Sequence, residues 1–507
     1  GGVNAMFQKL VDAVRRWMYK MGLIKGLKEI TEYKDIAADE EHYQRVAMWQ
    51  DLYRGYYEPW HRIEYHTVQG KKARKRHSLR MPKVASEEMA RLVFNEKCRI
   101  NISDEALATE IERVFKRNSF YKRFQDFLEY NYAMGGMVMK AYAQPLSGDG
   151  YELKISFTTA DCFLPISHQG GKIIEGAFIS QTRQGNKYYT LIESHRWTTN
   201  QDGERIYLIT NELFESDKPS ELGVKASPAK MKELYPGLEA QIKIKNLTRP
   251  LFVYVKPNIA NNFDPQSPLG ISIFANALDT LKALDIAFDS FIREFSLGKK
   301  RILVPATAIQ TVADPRTGEV KRYFDAEDEV YQAFNFADPE NQKIQDMSVE
   351  LRVDEHVSAI QALLDILAMQ IGFSPGTFTF DGQGVKTATE VVSENSKTYR
   401  TKNSHELLIE EALKEFIECL VQVGELYGVF NAPQEYDITI DFDDSIAQDR
   451  DANADYYLKL KNAGLLSAKT ALMRILDLTE EQAEEELKRI AEERAIPSVD
   501  ELFGGDA

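Results

Sequence analysis

From Gly270 to Gly298 the apolar residues Phe274, Leu278, Leu281, Leu284, Phe288, Phe291, Ile292 and Phe295 recur at three- and four-residue steps. That period predicts one helix of about 29 residues, roughly 43 Å long. Its other face carries Asp279, Lys282, Asp285, Asp289 and Arg293. A second periodic run covers 353–372. A third, 388–427, reaches up to about 40 residues, on the order of 60 Å. Helices this long exceed the globular average severalfold and need a neighbour or an assembly along their flanks.

What joins these helices is informative. Residues 299–352 open on a basic knot, "GKKR" (Lys299, Lys300, Arg301), followed by a strand "RILVP" and a "DPRTG" turn at 314–318. Short strands near 321–324 and 330–336 complete a small β-rich module. Between the second and third helices lies "FSPGTFTFDGQGVKTATEV" (373–391), which contains Phe378, Phe380, Gly382, Gly384 and Lys386. It resembles a phosphate-binding loop only loosely. Val385, not Gly, precedes the lysine, and no aliphatic strand leads into the turn, so the template fails. The flexibility of this segment needs another reason.

Upstream, residues 6–30 form an amphipathic helix with Lys9, Arg15, Arg16 and Lys20 off its apolar stripe, better suited to packing on protein than on a membrane. "KKARKRHSLRMPK" (71–83) holds seven Lys and Arg in thirteen residues. Two readings stand: contact with nucleic acid or an acidic partner, or a solvated loop before a helix at 84–97. From 118 to 255 a helix closes at Gly135-Gly136 and runs into alternating segments such as "YELKISFTT" and "RIYLITNELF". These predict an α+β domain with a largely antiparallel sheet. "EYDITIDFDD" (435–444) is one more strand. Thr479 and Gln482 form a capping box before a helix at 480–494, and the tail after Pro497 is expected to be loose.

At 507 residues, two to four domains are expected. A net charge of −15 argues against nucleic-acid binding over the whole surface. Cys98, Cys162 and Cys419 suit neither a disulfide framework nor a metal spacing, which fits a reducing compartment. The run 357–373 includes Gln361, Asp365 and Gln370 and is too short and polar to span a bilayer. The N-terminus lacks the apolar core of a signal peptide. Residues 1–5, "GGVNA", have the look of a cloning remnant. No HExxH, His–Cys cluster or GxSxG is present, and the carboxylates show no paired spacing. Asp443, Asp444, Asp449 and Asp451 lack the glycine and terminal Glu of a calcium loop and read as a solvated turn. The expectation is a non-enzyme without metal or cofactor.

Two helices bracketing a β module, then a Gly-rich loop, a very long helix and a helical C-terminal cap form an order that resembles the portal proteins of tailed bacteriophages. The siphophage portals of Gram-positive hosts are the nearest in character. "SPLGISIFANALDTLKALDIAFDSFIREFSLGKKRILVP" (267–305) is similar to the portal wing-to-stem segment. "ARLVFNEKCRI" (90–100) and "AGLLSAKTAL" (463–472) also look like family stretches.

The resemblance implies an α+β portal-like fold. Residues 6–268 with the strand near 436–443 would be the wing, 270–298 and 353–372 the stem helices, and 299–352 the clip. Residues 373–387 would be the tunnel loop, 388–427 the long helix from channel to wing, 444–495 the crown, and 496–507 a flexible tail. It implies a ring, usually of twelve subunits, at one capsid vertex of the virion, assembled in the host cytoplasm with the major capsid and scaffold proteins. Double-stranded DNA would pass through it without sequence preference. The terminase large subunit would dock during filling, and head-completion adaptors later. Phe378, Phe380, Gly382, Gly384 and Lys386 would belong to the tunnel loop, and Lys299, Lys300 and Arg301 to the basic entry of the clip. Asp279, Lys282, Asp285, Asp289 and Arg293 would form the polar face of the stem. The rival reading from another class is a cytoplasmic oligomeric scaffold or adaptor without a channel.

Overall fold

The structure is a computed structural model that describes residues 40–67, 70–95, 98–146, 150–219, 221–298, 302–305, 312–313, 320–321, 331–334, 345–346, 350–379, 396–442, 450–476, 478 and 480–494. It begins with α1 (Glu40–Arg54) and a single turn, α2 (Glu58–His61). A hairpin follows, β1 (Arg62–Thr67) antiparallel to β2 (Gly70–Lys75). The basic stretch is therefore a strand, a turn and the start of α3 (Met81–Val93) rather than one loop. Pro82 fits the first turn of α3, where its missing N–H loses no helical bond.

β3 (Arg99–Ile102) leads into α4 (Glu105–Arg117), capped by Asp104, whose carboxylate accepts the Leu107 N–H at 2.8 Å. α5 (Phe120–Met134) buries Phe120, Phe124, Leu128 and Tyr132 at four-residue steps. It stops at Gly135, whose φ of +83° is left-handed; a Cβ there would sit 2.7 Å from the Ile271 backbone. β4 (Met137–Pro145) starts two residues later and pairs with β5 (Tyr151–Thr159).

An antiparallel meander follows: β6 (Phe163–Gln169), β7 (Lys172–Gln184), β8 (Lys187–Thr199) and β9 (Arg205–Ser216). β10 (Val224–Lys225) pairs with β9. After α6 (Pro228–Leu234), β11 (Gln241–Ile244) also pairs with β9, and β12 (Phe252–Val255) joins β4. The expected α+β character with a largely antiparallel sheet is what these strands form.

α7 (Leu278–Leu297) is 20 residues, shorter than its apolar period predicts. Ile271, Ile273 and Phe274 are buried in irregular backbone, because this stretch threads the body. The Ile273 N–H and Ser272 hydroxyl both bond the Tyr132 carbonyl, at 3.0 and 3.2 Å. Tertiary burial there imitates helical spacing. Beyond α7, β13 (Ile302–Pro305), β14 (Val312–Ala313), β15 (Val320–Lys321), β16 (Tyr331–Phe334) and β17 (Gln345–Asp346) follow. β13 pairs parallel with β16 and antiparallel with β17, and β14 pairs with β15.

α8 (Val353–Ile371) and α9 (Ser396–Leu426) come next. α9 buries Ile409, Leu413, Phe416, Ile417, Leu420 and Val423 against β4, β12 and α3, and Phe416 stacks on Phe120. Each such side chain taken from water contributes about 1.5–3 kcal/mol. β18 (Ile438–Asp441) returns to pair with β3. α10 (Arg450–Asn462), α11 (Ala468–Leu476) and α12 (Glu480–Arg494) finish the described chain. Thr479 of the expected capping box, the 6–30 helix, residues 388–395 of the third helix and the Asp443–Asp451 turn lie outside the described residues. Among the described residues no helix is long and apolar enough to cross a membrane. None of the cysteines forms a disulfide.

Candidate functional site, a helix pair, its end turn and a carboxylate clasp

α7 and α8 pack along each other through Leu281 and Leu284 on one and Ile360, Leu364, Leu367 and Ala368 on the other. The pair is antiparallel. Arg352, just before α8, donates to both carboxylate oxygens of Glu294 near the end of α7, at 3.1 Å each. That fork holds the Glu294 carboxyl well below the usual range. The outer flanks are not wholly polar. Ile286 and Leu297 on α7, and Ile366 and Met369 on α8, are all exposed.

α8 ends at Gly372, whose φ is +94°, and the Phe373 N–H bonds back to Ala368 at 2.8 Å. The next residues are firmly held. Phe373 and Phe378 are buried edge to face, their centroids 5.3 Å apart. The Ser374 N–H donates to the Thr398 hydroxyl of α9 at 2.8 Å. Asp365 accepts the Gly376 N–H at 2.9 Å, and Gln361 donates to the Phe378 carbonyl at 3.1 Å. The polar residues that interrupt the apolar run of α8 thus fasten the turn. Lys397 reaches the Met369 carbonyl from α9. Residues 373–379 are a fixed base joining α8 to α9, whereas Phe380, Gly382, Gly384 and Lys386 lie outside the described residues. So do Lys299, Lys300 and Arg301.

The five residues expected to line one polar face of α7 divide into two sets. Asp279, Lys282 and Arg293 are exposed. Asp285 and Asp289 are buried, only 7% and 5% exposed, under the 61–79 segment. The Tyr57 N–H donates to His61 Nδ1 at 2.8 Å, which leaves Nε2–H to donate to Asp285 at 3.0 Å. The other Asp285 oxygen accepts the Leu79 N–H at 2.9 Å. Asp289 takes both Arg74 Nη groups, at 2.8 and 2.7 Å, and the His77 N–H at 3.1 Å. Burial alone would raise the Asp289 carboxyl, but these donors outweigh it and hold it far below the usual carboxylate range. A carboxylate buried without them would cost several kcal/mol.

The basic stretch has thus found an acidic partner within its own chain. Lys71 pairs with Glu64, Arg76 donates to the Trp60 carbonyl at 2.7 Å, and Lys83 meets Glu87 and Glu129. Sequence reasoning missed His61, Arg74, His77 and the Leu79 amide as partners of α7. The only signal was the density of positive charge.

Over residues 33–496 the chain matches the family described as phage portal protein, SPP1 Gp6-like. A comparison with curated proteins finds no match. With that match running from before α1 to beyond α12, the chain belongs to the SPP1 Gp6-like family of phage portal proteins.

Proposed function

We propose that the chain is one subunit of a closed ring of about twelve copies at a single capsid vertex, joined by head-to-tail contacts. The ring is the channel by which double-stranded DNA enters the head in packaging and leaves it at ejection. Family membership across 33–496 carries this reading. The exposed apolar residues on the flank of α8, Ile366 and Met369, support it, because an apolar flank left open to solvent suits contact with a neighbouring copy.

In this reading α7 and α8 are the stem, 299–352 the clip, 373–387 the tunnel loop, α9 the helix from channel to wing, and 444–495 the crown. The clip, with its basic entry at Lys299, Lys300 and Arg301, docks the terminase large subunit and later a head-completion adaptor. The role is structural rather than catalytic. Native mass spectrometry and negative-stain microscopy of the full chain test it. Closed rings with a central hole are expected, and two-fold dimers or monomers at micromolar concentration would overturn it.

A further inference from the structure

We propose that Asp285 and Asp289 are positioning residues, fixing the rotation of α7 about its own axis through a clasp made by residues 61–79. A helix turns about 100° per residue, so these two carboxylates, four residues apart, lie nearly on one line. Beyond Asp285, Asp289 is the one buried residue of α7; everything else from 286 to 297 is half-buried or exposed. Apolar packing therefore grips the first turns of the helix, the clasp grips its middle, and the Arg352–Glu294 fork fastens its end.

The grip is directional. Each carboxylate combines side-chain donors with one main-chain N–H: His61 and the Leu79 amide for Asp285, both Arg74 Nη groups and the His77 amide for Asp289. Those amides cannot follow a rotating helix. They sit just before α3, whose first residues Met81 and Pro82 are buried. The clasp is braced from behind by the Arg76 N–H on the His61 carbonyl at 2.7 Å. An apolar contact can slide, whereas a turn of one residue here would leave two buried carboxylates and their donors unpaired.

What the clasp orients is a continuous exposed stripe on α7: Asp279, Lys282, Ile286, Ser290, Arg293 and Leu297. Its centre lies about 80° around the helix from the clasped line. In a ring, an error in this angle repeats at every subunit boundary, so the clasp sets how the stripe meets the next copy. This role rests on the ring reading above; the grip on α7 does not.

The test uses the full chain with two separate variants, Asp285→Asn with Asp289→Asn, and Arg74→Gln, which loosens the clasp from the hairpin side. Amide hydrogen exchange over 62–75 and 286–297 is expected to quicken about tenfold in both, with the rest of the chain unchanged. At matched folded fraction, native mass spectrometry is expected to show a spread of subunit numbers and open arcs in place of one ring. Unchanged exchange over 286–297 would overturn the grip itself. Faster exchange with the wild-type ring distribution would overturn the positioning role. If the aspartate variant does not fold, Arg74→Gln decides alone. If the wild-type chain forms no ring, the channel reading falls, and exchange over 286–297 still decides whether the clasp holds the helix.

Discussion

His405 lies in the buried face of α9, its ring edge-on to Tyr132 at 5.0 Å, and its Nδ1 accepts the Asn258 N–H at 3.1 Å. Burial pushes its pKa down to about 4. The folded value is then below the unfolded one of about 6.5. Above pH 6.5 both states are neutral and the histidine adds no pH dependence. As the pH falls from 6.5 to 4 the unfolded chain takes up a proton that the folded chain refuses, and stability drops by about 1.4 kcal/mol per unit, roughly 3 kcal/mol over the window. His195 acts in the same direction, lowered by burial against the pull of Glu193. Asparagine can keep the acceptor for Asn258 without titrating. Denaturation midpoints from pH 7 to 4 should therefore fall less steeply for His405→Asn than for the wild type, and parallel profiles would show that His405 does not carry this proton linkage.

At the scale of the element, Gly372 decides how α8 hands over to α9. Its left-handed φ strains any residue that carries a Cβ, and a Cβ built there would lie 2.7 Å from the Thr401 methyl. Gly372→Ala should cost about 2 kcal/mol or more, read as a lower denaturant midpoint with faster exchange over 373–379. An unchanged midpoint would mean the turn relaxes freely. α8 itself was legible to within a residue, because its apolar period runs unbroken between Arg352 and that glycine. The strands Tyr151–Thr159 and Arg205–Ser216 were legible for the equivalent reason, alternation bounded by turn residues. The start of α7 was not, since Ile271, Ile273 and Phe274 are apolar for burial in the body rather than for helical packing. The clasp was illegible in principle. Asp285 reads as one more polar residue on a helix until the fold brings His61, 224 positions earlier, to its side.

At the scale of the whole molecule, the base and the tip of the 373–387 segment should fail in different ways. The base is part of the core: Phe373 and Phe378 are buried, and Ser374 and Gly376 are tied to α9 and α8. Phe378→Ala should therefore lower stability by about 3–5 kcal/mol, as truncation of a buried phenylalanine does. The tip is different in sequence. Asp381 and Lys386 cancel, and in the channel reading Gly382 and Gly384 would give the backbone freedom to change conformation as a helical duplex slides past. With −15 on every copy, a ring of this chain would be poorly suited to holding DNA by counterion release, so in that reading contact at the tip would be steric rather than electrostatic. Proline at both glycines removes that torsional freedom without touching α7, α8 or α9. Rings of the Gly382→Pro, Gly384→Pro chain should assemble with wild-type stability, yet capsids built on them should package or retain less DNA. If that contact is steric, Lys386→Glu should matter less. The deciding measurement is DNA content per capsid. Full, stable heads on the double-proline ring would make the tip a passive connection between α8 and α9.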